Sequence, residues 1–152
     1  MRAGVAVVVA VVVLGLATLS APAPAQPAPT TSPEIEKLVE VSRTQENAEN
    51  WEAYLASTKK LVELQRKLSG EDSIYTWRRE QDVIGALQAL RRWAELIEHE
   101  KKMVGKAERI HGKDSEEVYR MLGSLVGSYQ MAFDHQGIEP IWKRLLELSK
   151  KR

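Results

Sequence analysis

The sequence predicts an all-α protein built from repeated pairs of helices. Two turns of similar composition lie 42 residues apart, since residues 70–73 read Gly-Glu-Asp-Ser and residues 112–115 read Gly-Lys-Asp-Ser. Apolar residues between these turns recur at three- and four-residue spacing, which is typical of helices with one buried face. Valine-rich runs, which would indicate strands, occur only within the first 20 residues. A fixed period of this length indicates a repeat protein.

The 42-residue register extends beyond the turns. Val83 aligns with Leu125, and one step back places Trp93 on Trp51 and Val83 on Val41. A gapless register over three units is hard to obtain by chance. The sequence therefore predicts one helical domain over residues 34–152, with units at about 34–70, 71–112 and 113–152.

The first three helices have clear start and stop signals. We expect the first over residues 34–47, with Ser32 as its N-cap. The second should cover residues 51–69, with Asn50 as its cap and Gly70 ending it in the left-handed conformation. Asp72 or Ser73 should open the third, which extends to about residue 90.

The last three helices are predicted in the same way. A break at residues 91–92 leads to the fourth helix, which Gly112 ends. Asp114 with Glu117 three residues later predicts a capping box for the fifth. The sixth should begin near residue 136. The inward positions of the third helix are predicted as Ile74, Trp77, Ile84 and Leu87, and the other three tryptophans are also predicted in the core: Trp51, Trp93 and Trp142.

The N-terminus is typical of a secretory signal peptide. Arg2 precedes an apolar run, and Ala23-Pro24-Ala25 supplies a small-x-small cleavage site. We expect residues 1–25 to be removed and residues 26–33 to form a Pro-rich linker. The alternative is a retained N-terminal membrane anchor, because the apolar run approaches the length of a spanning helix. The predicted localisation is secreted or periplasmic, with no membrane contact after cleavage.

Composition restricts the classes of partner and chemistry. The chain has 22 basic and 21 acidic residues, and loss of Arg2 would balance them. Nucleic-acid binding needs a basic excess on one face, so we expect no nucleic-acid partner. The chain has no cysteine, which excludes disulfides and thiolate metal sites.

No catalytic or metal-binding pattern is present in the sequence. His99-Glu100 begins like an H-E-x-x-H motif, but Met103 occupies the place of the second histidine. His111 suits a helix C-terminus, and His135 aligns with Trp51 and Trp93. We therefore predict no enzyme activity, no cofactor and no metal. The alternative class, a small hydrolase or metal enzyme, would need a cluster of titratable groups in a closed pocket.

The pattern resembles the tetratricopeptide repeat, in the long 42-residue form of kinesin-light-chain-like repeats. The resemblance rests on the Gly-Lys-Asp-Ser turn, on residues 125–129 (Leu-Val-Gly-Ser-Tyr) and on residues 140–146 (Pro-Ile-Trp-Lys-Arg-Leu-Leu). It implies a right-handed α-α superhelix of about three hairpins. The chain departs from the family pattern where Glu49, Arg91 and Phe133 stand in place of the glycine between paired helices. HEAT-type repeats remain an alternative, whereas a WD40 propeller would need strands.

The resemblance implies a concave groove lined by the first helix of each unit, which would bind a protein or peptide. Trp77 is an alternative ligand anchor if it is exposed. Glycines at 85, 123 and 127 favour a groove because they let another backbone approach closely. The groove positions implied by the family are Arg43, Arg78, Gln81, Asp82, Gln88, Arg120, Ser124 and Gln130.

The main functional expectation is thus an exported, non-catalytic module that binds a peptide or protein in this groove. The alternative is an assembly subunit that self-associates as a homo-oligomer, or docks on a larger repeat protein through its last helix. No dedicated capping helix follows that helix. An exposed apolar stripe on its outer face would favour assembly, and a charged face would favour a monomer.

Overall fold

The computed structural model describes residues 31–151, which fold into six helices and no strand. The predicted all-α class is therefore confirmed for this part of the chain. The helices are α1 Pro33–Asn47, α2 Trp51–Ser69, α3 Ile74–Ala89, α4 Trp93–His111, α5 Glu116–Met131 and α6 Ile138–Ser149.

The described range bears on only part of the N-terminal predictions. The signal peptide at 1–25 and residues 26–30 of the linker lie outside it. Helix α1 begins at Pro33, so the last residue of the predicted linker is helical. No described helix is long and apolar enough to cross a membrane.

The helix N-caps follow the sequence closely, with one correction. Ser32, Asn50 and Ser73 each accept a backbone N–H with the side chain, as predicted. The cap of α5 is Ser115, whose Oγ accepts the N–H of Val118, and not Asp114. The Asp114 carboxylate instead accepts a hydrogen bond of 2.8 Å from Lys151 Nζ, because it lies one residue too far from the helix to cap it.

The backbone repeats with the 42-residue step of the sequence. Glu49, Arg91 and Phe133 have positive φ values of 54°, 54° and 57°. Non-glycine residues rarely adopt this conformation, so three equivalent occurrences mark one turn type used three times. At these three positions, where the resemblance to tetratricopeptide repeats implies glycine, the chain thus forms the left-handed turn with other residues.

The glycines that end α2 and α4 adopt a different conformation from the one predicted. Gly70 has φ 89° and ψ 164°, and Gly112 has φ 92° and ψ 152°. These values lie in an extended, positive-φ region that is essentially restricted to glycine, and not in the left-handed helical region. Glycine is therefore required more strictly at Gly70 and Gly112 than it would be in a left-handed helical conformation.

Among the described residues, helix backbones approach closely only where the helices are neighbours in sequence. Helices two apart meet through side chains: Lys59 on α2 pairs with Glu95 on α4 at 3.9 Å. Gaps lie between α2 and α4 and between α3 and α5. The core divides into a cluster around α2, α3 and the start of α4, and a larger one around α4, α5 and α6. The gaps between alternate helices provide the candidate sites.

The core differs from the prediction at Ile74 and Trp142. Trp77 is only 4% exposed, as predicted for an inward position, and its ring meets the His111 ring edge-on at 5.7 Å, so the alternative of an exposed ligand anchor is wrong. Ile74 is exposed at the start of α3. Trp142 is exposed on α6 and does not belong to the core. Trp51 and Trp93 are partly buried and pack against the first cluster.

Candidate functional site

A pocket of about 220 Å³ lies between α3 and α5, on the surface where the groove is predicted. Three of the predicted groove residues, Gln81, Arg120 and Ser124, line it together. Its other lining residues are Trp77, Ile84, Glu117 and Met121. The pocket is smaller than most small-molecule sites, and its mixture of apolar and polar groups suits a single side chain.

Three polar side chains of this pocket, Glu117, Arg120 and Ser124, already have hydrogen-bond partners. Arg120 Nη2 donates to Glu117 Oε1 at 3.1 Å, and the backbone N–H of Glu117 is the main cause that lowers the pKa of its carboxyl. Ser124 Oγ donates to Glu100 Oε1 at 2.5 Å, so Ser124 is turned towards α4. A ligand carboxylate would have to compete with Glu117 for Arg120.

The remaining predicted groove residues do not line this pocket. Arg43 is exposed and pairs with Glu40 at 3.3 Å. Asp82 is half-buried beside Arg79 at 3.7 Å, and burial raises the pKa of its carboxyl. The other three are exposed: Arg78, Gln88 and Gln130. The structure therefore gathers three of the eight predicted residues in one place.

Three glycines lie on the first helices of the second and third units. A Cβ added to Gly85, Gly123 or Gly127 would meet no atom within 4 Å. Internal packing therefore gives no reason for glycine at these helical positions, where it costs about 1 kcal/mol relative to alanine. Gly85 and Gly127 are also 42 residues apart.

A second concavity, larger than the pocket between α3 and α5, lies between α2 and α4 and has a volume of about 630 Å³. At its floor, the buried Lys106 ammonium lies 2.7 Å from both Glu80 Oε2 and Glu71 Oε1. Arg66 also pairs with Glu80, at 3.3 Å, and with Glu71. Two cations and two carboxylates thus form a closed, neutral network, which is the arrangement that a buried ion pair requires.

The equivalent positions in the flanking units are apolar. Glu80 corresponds to Leu38 and Leu122, and Lys106 corresponds to Leu64 and Leu148. The charged pair therefore replaces a leucine pair in the middle unit alone. Helical spacing alone does not predict this network, although the 42-residue register places a charged residue opposite leucine at both positions.

The surroundings of the three histidines are those of packing or surface residues. Burial is the main cause that lowers the pKa of His99, whose Nε2 lies 3.0 Å from the carbonyl oxygen of Glu80. His111 packs against Trp77, and His135 is exposed. Within residues 31–151, no group of three or more His, Asp or Glu side chains is arranged to hold a metal ion.

Glu100 is a fully buried carboxylate between α4 and α5. Its Oε1 accepts from Ser124, and its Oε2 has no hydrogen-bond partner. Burial raises the pKa of this carboxyl, and the hydrogen bonds from Ser124 and Ser128 oppose the shift. A buried oxygen without a partner costs stability, so Glu100 is a weak point of the α4–α5 interface.

The outer face of α6 carries an apolar stripe. Trp142 and Leu146, one helical turn apart, are 54% and 58% exposed. Their counterparts one unit earlier, Glu100 and Val104, are 0% and 7% exposed because α5 covers them. The counterparts two units earlier are also buried: Thr58 and Val62.

No protein-family model matches the chain, and no curated protein matches it. The resemblance to tetratricopeptide repeats therefore stays a prediction carried by the residues themselves. The function is therefore inferred from the surfaces that the molecule exposes.

Proposed function

We propose that this protein is a non-catalytic interaction module that binds other protein chains mainly through the uncovered face of α6. The exposure of Trp142 and Leu146 carries the proposal. Both side chains occupy positions that are buried in each preceding unit. A face that is covered by the next helix in the first two units, and that is apolar and exposed in the third, is suited to receive another helix.

The physical driving force is the burial of two large apolar side chains. Full burial of a side chain of this kind is worth about 1.5–3 kcal/mol relative to exposure. Trp142 also offers the flat, rigid surface that is common at the energetic centres of interfaces. An exposed apolar stripe on the outer face of the last helix therefore favours assembly over the binding of a peptide in a groove.

A pull-down from the native compartment, followed by mass spectrometry, tests this proposal. Leu146→Glu places a charge in the stripe and should remove partners that the unmodified protein retains. Ala56→Glu is a matched control, because Ala56 and its counterparts Glu98 and Pro140 are exposed in every unit. An identical set of partners for both variants would rule out α6 as the contact surface.

A second candidate function is peptide binding in the groove along α1, α3 and α5. This second function assumes that the helices form the right-handed superhelix that the resemblance to tetratricopeptide repeats implies. The convergence of Gln81, Arg120 and Ser124 at one pocket favours it, as do the open glycines beside them. Such a surface would accept an extended backbone with one side chain in the pocket.

Replacement of Arg78 and Arg120 by alanine tests this groove. Arginine pairs with carboxylates bidentately, and loss of charge-assisted contacts should weaken peptide binding by about 1–3 kcal/mol. Lys59→Ala with Lys101→Ala is the control on the second helices. Loss of binding in the control pair alone would contradict the groove.

We also propose that the module acts outside the cytoplasm, released by cleavage after Ala25. The small residues Ala23 and Ala25 support this site. N-terminal sequencing of the mature protein should begin at or near Gln26. An intact Met1 or Arg2 would instead favour a retained membrane anchor.

A further inference from the structure

We infer that the occupant of the α6 face is α1 of a second copy of this chain, stacked head to tail with the same 42-residue step that joins the units inside one copy. This inference rests on the proposed role of α6 and adds the identity of its partner. It follows from the two ends of the molecule taken together.

The internal interfaces show what covers the face in question. Val62 on α2 shares a core cluster with Val83 on α3. Val104 on α4 shares the other cluster with Leu125 on α5. In both cases, the second helix of one unit receives an apolar residue from the first helix of the next unit.

The two residues that would form a third pair of this kind lie on α6 and on α1. Leu146 on α6 is the counterpart of Val62 and Val104, and Val41 on α1 is the counterpart of Val83 and Leu125. Val83 and Leu125 are 3% and 4% exposed, whereas Val41 is 40% exposed. Within residues 31–151, each copy therefore carries one exposed half of the interface on α1 and one on α6, and the two halves match in register.

Charge favours a head-to-tail arrangement over pairing of like ends. Helix α1 has four acidic and two basic residues. The C-terminal segment from Ile138 to Lys151 has four basic and two acidic residues. Stacking α6 on α1 joins opposite net charges, whereas α6 against α6 would join like charges.

Such an interface is heterologous, so it leaves a free half at each end of every oligomer. The protein should therefore form a concentration-dependent series of oligomers and not stop at a dimer. A symmetric α6–α6 pair would instead stop at two copies.

Two variants that block opposite ends give the decisive test. Val41→Glu should block the N-terminal half, and Leu146→Glu should block the C-terminal half, each weakening self-association at least about tenfold. Each variant should be monomeric alone in sedimentation experiments, while an equimolar mixture should form a dimer that grows no further. Ala56→Glu should assemble like the unmodified protein. Circular dichroism melts establish that the variants remain folded.

The other outcomes are also decisive. If Val41→Glu still dimerises alone and only Leu146→Glu is monomeric, the interface is α6 on α6, and the head-to-tail inference is wrong while the role of α6 stands. If the unmodified protein is monomeric at every concentration, the inference is wrong. The loss of partners from Leu146→Glu in the pull-down then decides separately whether α6 binds a different protein.

Discussion

The second and third units share one backbone pattern but differ in the polarity of their interiors and in the exposure of their outer faces. In the second unit, the interior contains the ion pair of Glu80 and Lys106, and the outer face of α4 is covered by α5. In the third unit, the interior positions are Leu122 and Leu148, and the outer face of α6 presents Trp142 and Leu146 to solvent. The shared fold thus sets the position of each side chain, and the residue at that position determines whether the surface or interior there is charged or apolar.

The largest expected effect comes from breaking the charged interior of the second unit. Lys106→Leu alone removes one partner of a buried pair and should destabilise the protein by about 3 kcal/mol. The value is at the lower end of the range for such pairs because Arg66 remains beside Glu80. Chemical denaturation measures the change in the free energy of unfolding.

The double variant Glu80→Leu with Lys106→Leu converts these two positions to the residues of the third unit. Replacement of a buried pair by leucines is often neutral or stabilising, so most of the loss should be recovered. A double variant that is less stable than Lys106→Leu would contradict the equivalence of the two units at these positions.

The turns that end the second helices should be the next most sensitive feature. Gly70→Val and Gly112→Val force a side chain into a glycine-only conformation and should each cost about 2 kcal/mol. Gly105→Ala is the control, since it lies inside α4 with an ordinary φ and its added Cβ meets only Arg109 at 3.8 Å. Thermal melts that match the parent for both valine variants would exclude this account of the turns.

The buried face of α4 can be probed through Glu100. Glu100→Gln should stabilise the protein at neutral pH by about 1 kcal/mol, because it removes a buried charge with one unpartnered oxygen. Burial raises the pKa of this carboxyl in the folded state, so ionisation costs stability as the pH rises from its unfolded pKa through its folded pKa. The advantage of the variant should therefore be full above the folded pKa and disappear below about pH 4.

Unfolding measurements at several pH values check this sign. The parent and Glu100→Gln should converge in stability on acidification. A difference that grows as the pH falls would mean that the ionised form of Glu100 is favoured in the folded state, contrary to its surroundings.

The smallest effect concerns the open glycines. Gly85→Ala and Gly127→Ala should each stabilise the protein by about 0.5 kcal/mol, because no atom obstructs the added methyl group. If a partner backbone approaches these positions, the same variants should weaken its binding. Stabilisation without any loss of peptide binding would remove the glycines as support for the groove.

Much of the fold follows from local sequence signals. The bounds of α2 and the caps at Ser32 and Asn50 match the prediction, because hydrophobic spacing and capping depend on nearby residues. The cap of α5 was misassigned because Asp114 and Ser115 are adjacent candidates of equal propensity. Local signals predict that Gly70 ends α2, but they do not distinguish its extended conformation, with φ 89° and ψ 164°, from the left-handed helical one.

The candidate site was less predictable because it depends on which helices meet. Trp142 fits the helical spacing of a core residue, but no other described helix covers it. The Glu80–Lys106 pair joins residues 26 positions apart, a separation that helix periodicity does not address. Comparison along the 42-residue register identifies the charged pair, since Glu80 aligns with Leu122, but it does not identify the exposure of Trp142, which aligns with the buried Glu100.

Hydrogen exchange of α6 and α4 at low and high protein concentration tests the central claim most directly. If the uncovered face of α6 receives α1 of the next copy, amides of α6 and α1 should exchange more slowly at high concentration. Those of α4, whose face is already covered, should not change. Exchange in α6 that is independent of concentration, or protection that appears instead in α4, would contradict the account.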